Sequence, residues 1–173
     1  MLRINDVYQY QDLSIRILKI LSEHIVWIDI NDVKALPEII SKTELFHAIE
    51  SFEVFRIEDP FQEIALIQPE KDSTSQRKRD QNYNLIKAIV DHEQFYIPSI
   101  RSSLINEIIN NKKSTKQTIY RLLRQYWQRG QTPNALIPNY QNSGAKGSKK
   151  VARQKLGRKR THKEGTGAII TQE

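Results

Sequence analysis

The residues best equipped for chemistry lie between Lys112 and Gln128, where cations and amides recur at helical spacing. Gln117, Tyr120, Arg121, Arg124 and Gln128 share one face of a helix predicted to open at Ser114. Arginine can present two parallel donors to guanine O6 and N7, and glutamine can pair with adenine N6 and N7, so this face has the chemistry of a base reader. Lys112, Lys113, Ser114 and Lys116 gather at the start of the same helix, where free amides and the helix dipole attract phosphate. Between Ser114 and Gln131 there is no Asp or Glu. An ordinary helix also turns Arg and Gln to water; the conjunction of a capped start, a basic turn and missing acids favours DNA binding.

No comparable set points to catalysis. The chain has no cysteine, which excludes disulfides, thiolate metal sites and cysteine nucleophiles. Asp29, Asp32 and Glu38 are close in sequence but fall in a mixed strand and loop setting, and His24, His47, His92 and His162 lack metal-ligand spacing. The expectation is a chain that is not itself an enzyme, with no cofactor and no small-molecule substrate.

Several elements must position the helix. Ser114-Thr115-Lys116-Gln117 fits a capping box, with Ser114 as the cap and Gln117 reaching back. Ile119, Leu122, Leu123 and Tyr126 form one apolar stripe, with Trp127 at its edge as a core or hinge residue. Upstream, a helix is predicted from about Gln76 to Asp91, then a short one capped by Ser99, then a tight turn at Asn110–Lys113. Together these make a trihelical helix–turn–helix over residues 76–130.

Residues 1–60 read as a small mixed β/α module. Leu13–Ile17 alternates like a half-buried strand, while Leu18 and Ile20 continue in the opposite phase, which implies a bulge or burial on both faces. Ile25–Ile30 completes a hairpin, Pro37 opens a helix containing Ile39, Ile40, Leu45, Phe46 and Ile49, and Phe52–Ile57 returns as a strand. Residues 61–75, with Pro69 and the KDSTSQ cluster, read as a linker. The fold class is therefore α+β: a curled sheet with one helix, then the trihelical domain, then residues 131–173 as an irregular connector and a basic disordered arm. Ala135, Leu136, Ile137 and Tyr140 are apolar enough to fold the connector back on the helices.

Charge divides the chain. Residues 1–100 hold 11 Lys+Arg against 17 Asp+Glu, whereas residues 101–173 hold 16 against 3. Such asymmetry suits a nucleic-acid-binding end, although a long basic segment can also be a solvated tail. Arg153, Lys155, Arg158, Lys159 and Arg160 form a Gly-Arg-containing arm suited to the minor groove of A·T-rich DNA or to nonspecific phosphate contact. No apolar run approaches the roughly 18–20 residues that span a bilayer, so no membrane partner is expected and the chain is read as soluble and cytoplasmic.

The segment Thr118–Gly130 with Gln131-Thr132-Pro133-Asn134-Ala135-Leu136-Ile137-Pro138 resembles TnsB-like transposases, DDE-type strand-transfer proteins related to Mu-type transposases. Gly144, Leu156-Gly157-Arg158, Arg16-Ile17-Leu18, Val26-Trp27 and Glu58-Asp59-Pro60 agree with that resemblance. It implies an N-terminal region that recognises repeated sites in transposon ends, double-stranded DNA as partner, other transposition subunits as further candidate partners, and a DNA-associated place in a bacterial cell. It also implies a later RNase H-like domain whose carboxylates hold Mg²⁺. The sequence ends at Glu173, before such a domain, so no residue is assigned as a catalytic carboxylate. A free-standing repressor or transposition inhibitor, and a subunit-interaction module, are the alternative readings.

Overall fold

The computed structural model describes residues 2–112 and 114–138, apart from the side chain of Lys112. Its first part is an antiparallel sheet of five strands: β1 (Val7–Tyr10), β2 (Leu13–Ile20), β3 (His24–Asp29), β4 (Glu38–Ser41) and β5 (Val54–Ile57), in the order β4-β3-β2-β1-β5. Helix α1 (Lys42–Glu50) lies between the last two strands. The rest is helical: α2 (Gln62–Leu66), α3 (Thr74–Val90), α4 (Pro98–Lys112) and α5 (Lys116–Gln128), followed by a 3-10 turn at Pro133–Leu136. The α+β class expected from the sequence is the class observed.

The double phase of β2 has a direct cause. Pairing with β3 slips between Ile17 and Lys19, which leaves Leu18 as the bulged residue. Ile15, Ile17 and Ile25 enter a core shared with Leu45 of α1 and Val54 of β5. Leu18, Val26 and Ile28 enter a second core shared with Ile86 and Ile89 of α3, Ile105 and Ile108 of α4, and the stripe of α5. The sheet is thus buried on both faces, and residues 1–138 form one compact unit.

Other local expectations gave way to tertiary constraints. Pro37 does not open a helix; Glu38–Ser41 extends and pairs with β3, setting Ile40 opposite Ile25 and Ile39 opposite Val26. The open edge of β3 offers ladder hydrogen bonds, and β-branched residues suit them. Strand β1, which the sequence reading left unassigned, closes against both β2 and β5. The expected linker at 61–75 contains α2 and the start of α3, whose cap is Ser73, with its hydroxyl accepting from the Gln76 amide. Helix α4 runs fifteen residues through Asn110 and Asn111, where a turn was expected.

Arg16 joins these parts. Its side chain is fully buried, and its guanidinium donates to both Asp59 carboxylate oxygens at 2.8 and 2.6 Å. It also donates to the Asn5 carbonyl at 3.1 Å and, through Nε, to the Gln128 carbonyl at the end of α5 at 3.0 Å. Burial alone would raise the Asp59 carboxyl. The Arg16 hydrogen bonds, the Phe61 amide and the Arg16 charge outweigh it and hold the pKa below the ordinary 3.8. A depressed carboxylate contributes stability above its unfolded pKa and loses it as pH falls through the folded value. Asp59→Asn should therefore cost about 3 kcal/mol near neutral pH by leaving a buried cation without its counter-charge. Urea denaturation should show that deficit shrinking as pH falls below 3.8 towards the lower folded value, at which wild-type Asp59 itself takes up a proton.

Tyr126 of α5 stacks on Tyr83 of α3 with ring centroids 6.0 Å apart. Burial, followed by the charges of Tyr83 and Asp91, pushes its phenol up to about 12. The neutral phenol is favoured in the fold, so its contribution is fully present below pH 10 and fades as pH rises towards 12. Tyr126→Phe should remove the phenolate absorbance step at about pH 12 and that part of the alkaline stability loss.

Candidate nucleic-acid interface

Helix α5 is capped by Thr115, one residue later than the Ser114 capping box predicted. The Thr115 hydroxyl accepts from the Thr118 amide at 3.2 Å and lies 2.8 Å from the Thr118 hydroxyl. Starting at Lys116, the helix exposes the Gln117 side chain instead of turning it back as a box partner. Its opposite stripe packs tightly: Ile119, Leu122, Leu123 and Trp127 are completely buried, and Trp127 stacks on Phe95 at 5.5 Å.

Among the predicted base-face residues, the structure separates two groups. Gln117 and Arg121, with Lys116 beside them, are exposed. Tyr120, Arg124 and Gln128 are half-buried and engaged within the molecule. The Gln128 amide donates to the carbonyls of Asp29 and Asp32, at 2.9 and 2.7 Å. Arg124 Nε donates to the Ala35 carbonyl at 3.2 Å, and its guanidinium lies 5.5 Å from the centroid of the Tyr120 ring. Tyr120 packs against the helical core, and its hydroxyl supports the buried Arg101. Gln128 is therefore not free to meet a base, because its donors already satisfy loop carbonyls; Arg124 keeps only its outer nitrogens for that purpose.

The phosphate candidates divide in a similar way. Lys116 is exposed and Ser114 is half-buried, whereas Lys113 and the side chain of Lys112 lie outside the described residues. So do the arm residues Arg153, Lys155, Arg158, Lys159 and Arg160. Among the described residues, no three His, Asp or Glu side chains are grouped as metal ligands, and no helix is long and apolar enough to cross a membrane.

The connector after α5 is structural. Gly130 and Gln131 both take positive φ, at 100° and 54°, which reverses the chain. The Gln131 amide bridges the Asn5 side chain and the Leu18 carbonyl; Asn134 donates to the carbonyls of Ala65 and Ile67 and accepts from Arg79. Gln125 donates to the Ala135 carbonyl, and Ala135 and Leu136 are completely buried. The connector folds back as Ala135 and Leu136 suggested, in a short 3-10 turn where irregular chain was expected, and Tyr140 lies outside the described residues.

Helices α3, α4 and α5 follow a small antiparallel sheet, with Lys116, Gln117 and Arg121 of α5 exposed, which defines an α+β protein whose last helix carries a basic outer face. Residues 1–60 match the TnsB N-terminal SH3-like domain, and residues 79–140 match the TnsB second domain. The chain is 38% identical over 175 residues to the transposon Tn7 transposition protein TnsB of Escherichia coli. That alignment covers all of this chain and 25% of the relative. The chain belongs to the TnsB family and carries two domains of its N-terminal region.

The division of α5 is testable by stability. Gln128→Ala should cost about 1–2 kcal/mol by leaving two carbonyls without their donor. Gln117→Ala, at an exposed position, should stay within about 0.5 kcal/mol of wild type in the same urea titration.

Proposed function

We propose that this chain binds double-stranded transposon-end DNA sequence-specifically, through the N-terminal half of α5 lying in the major groove. The observation that carries this reading is the exposure of Lys116, Gln117 and Arg121 on a helix whose other face is locked in the core. Arg121 and Gln117 are one helical turn apart, so both can reach neighbouring base edges from a single docking geometry. Lys116 lies at the capped N-terminus, where the dipole and free amides add to its pull on phosphate. Membership in a transposase family supplies the kind of DNA, and the basic arm adds affinity along the backbone. The chain serves recognition and does no chemistry itself, so it needs neither metal nor cofactor.

Fluorescence anisotropy against a transposon-end duplex and a scrambled duplex tests the reading. Arg121→Ala should reduce discrimination between the two by about 1–3 kcal/mol. Lys116→Ala should weaken both complexes alike and lower the slope of log affinity against log salt by about one. Equal wild-type affinity for the two duplexes would overturn sequence-specific recognition.

A further inference from the structure

The acidic N-terminal module places one loop against the reading helix. Gln117, Arg121, Arg124 and Gln128 form a single stripe along α5, and the stripe ends against the β3–β4 connection. Three carbonyls of that connection or its border, from Asp29, Asp32 and Ala35, receive the Gln128 and Arg124 donors. The loop is thereby held at the end of the surface that would face DNA.

Its acids keep their charge, Asp32 at an exposed position, but each is tied to the loop backbone. The Asp29 carboxylate accepts from the Asn31 amide at 2.9 Å, and the Asp32 carboxylate accepts from the Lys34 amide at 2.8 Å. Val33 at the tip is 78% exposed, and Lys34 beside it is exposed with no side-chain partner among the described residues. A duplex docked along the stripe has phosphates on both walls of its major groove, roughly 12 Å apart. The loop borders the C-terminal end of the stripe, where it is held by the Arg124 and Gln128 donors.

We infer that the β3–β4 loop is a second DNA-contacting element, in which Lys34 grips a backbone phosphate flanking the groove read by α5. The inference rests on the DNA-binding reading of α5 and adds a contact from the module whose net charge is negative. Lys34 carries no base information; it fixes the register in which Arg121 and Gln117 meet their bases. The Gln128 and Arg124 bonds to the loop carbonyls make that register a property of the folded unit.

The test uses the full chain and a transposon-end duplex. Lys34→Ala should weaken binding to end and scrambled duplexes by the same factor and lower the log–log salt slope by about one. Lys34→Arg should restore the slope. Because the chain has no cysteine, Lys34→Cys can carry a single iron–EDTA cleavage reagent, whose cuts should concentrate at one flank of the protected site. An unchanged slope in Lys34→Ala, or cuts spread evenly along the duplex, would overturn the loop contact. Wild type failing to prefer the end duplex would instead overturn the reading of α5, so the two failures are distinguishable.

Discussion

The buried guanidinium of Arg16 is the constraint on which the arrangement depends. A charge withdrawn from water at the centre of a sheet is tolerable only if its donors are satisfied. Here they are met by the Asp59 carboxylate, the Asn5 carbonyl and the last carbonyl of α5. Those partners come from the exit of β5, the entry to β1 and the end of the candidate reading helix. Satisfying one side chain therefore sets the sheet, the β5–α2 passage and α5 in one mutual position. The C-terminal end of α5 also gains a cation where its free carbonyls and dipole favour one.

This arrangement divides α5 by role. Its C-terminal half is structural: Trp127 fills the core, Gln128 holds the β3–β4 loop, and Arg129 lies over the Phe61 ring. Its N-terminal half carries exposed polar side chains on a rigid base. A recognition surface benefits from that division, because side chains that read a groove lose less entropy when their helix is already fixed. The polar residues of the connector, Gln131 and Asn134, likewise spend their hydrogen bonds on the fold.

Much of the architecture is legible in the sequence. The apolar stripe Ile119, Leu122, Leu123 and Tyr126 could be buried only as a helix, and the reversed phase at Leu18 implied a bulge or burial on both faces, both of which the sheet has. Less legible were elements whose state depends on distant partners. Strand β4 forms because β3 has an open edge to pair with, and α2 was hidden in a stretch read as a linker. The shift of the cap from Ser114 to Thr115 reflects two adjacent residues with similar capping chemistry.

Periodicity placed Gln117, Arg121, Arg124 and Gln128 on one helical face, because side-chain direction along a helix is a local property. Composition likewise established the acidic and basic halves, since charge is carried by residues wherever they fold. Which members of that face remain free was decided only by tertiary structure. The carbonyls that engage Arg124 and Gln128 belong to residues some ninety positions earlier. Backbone carbonyls are common to every residue and leave no mark in the sequence, so only the docking of the sheet on α5 could show which donors they would take.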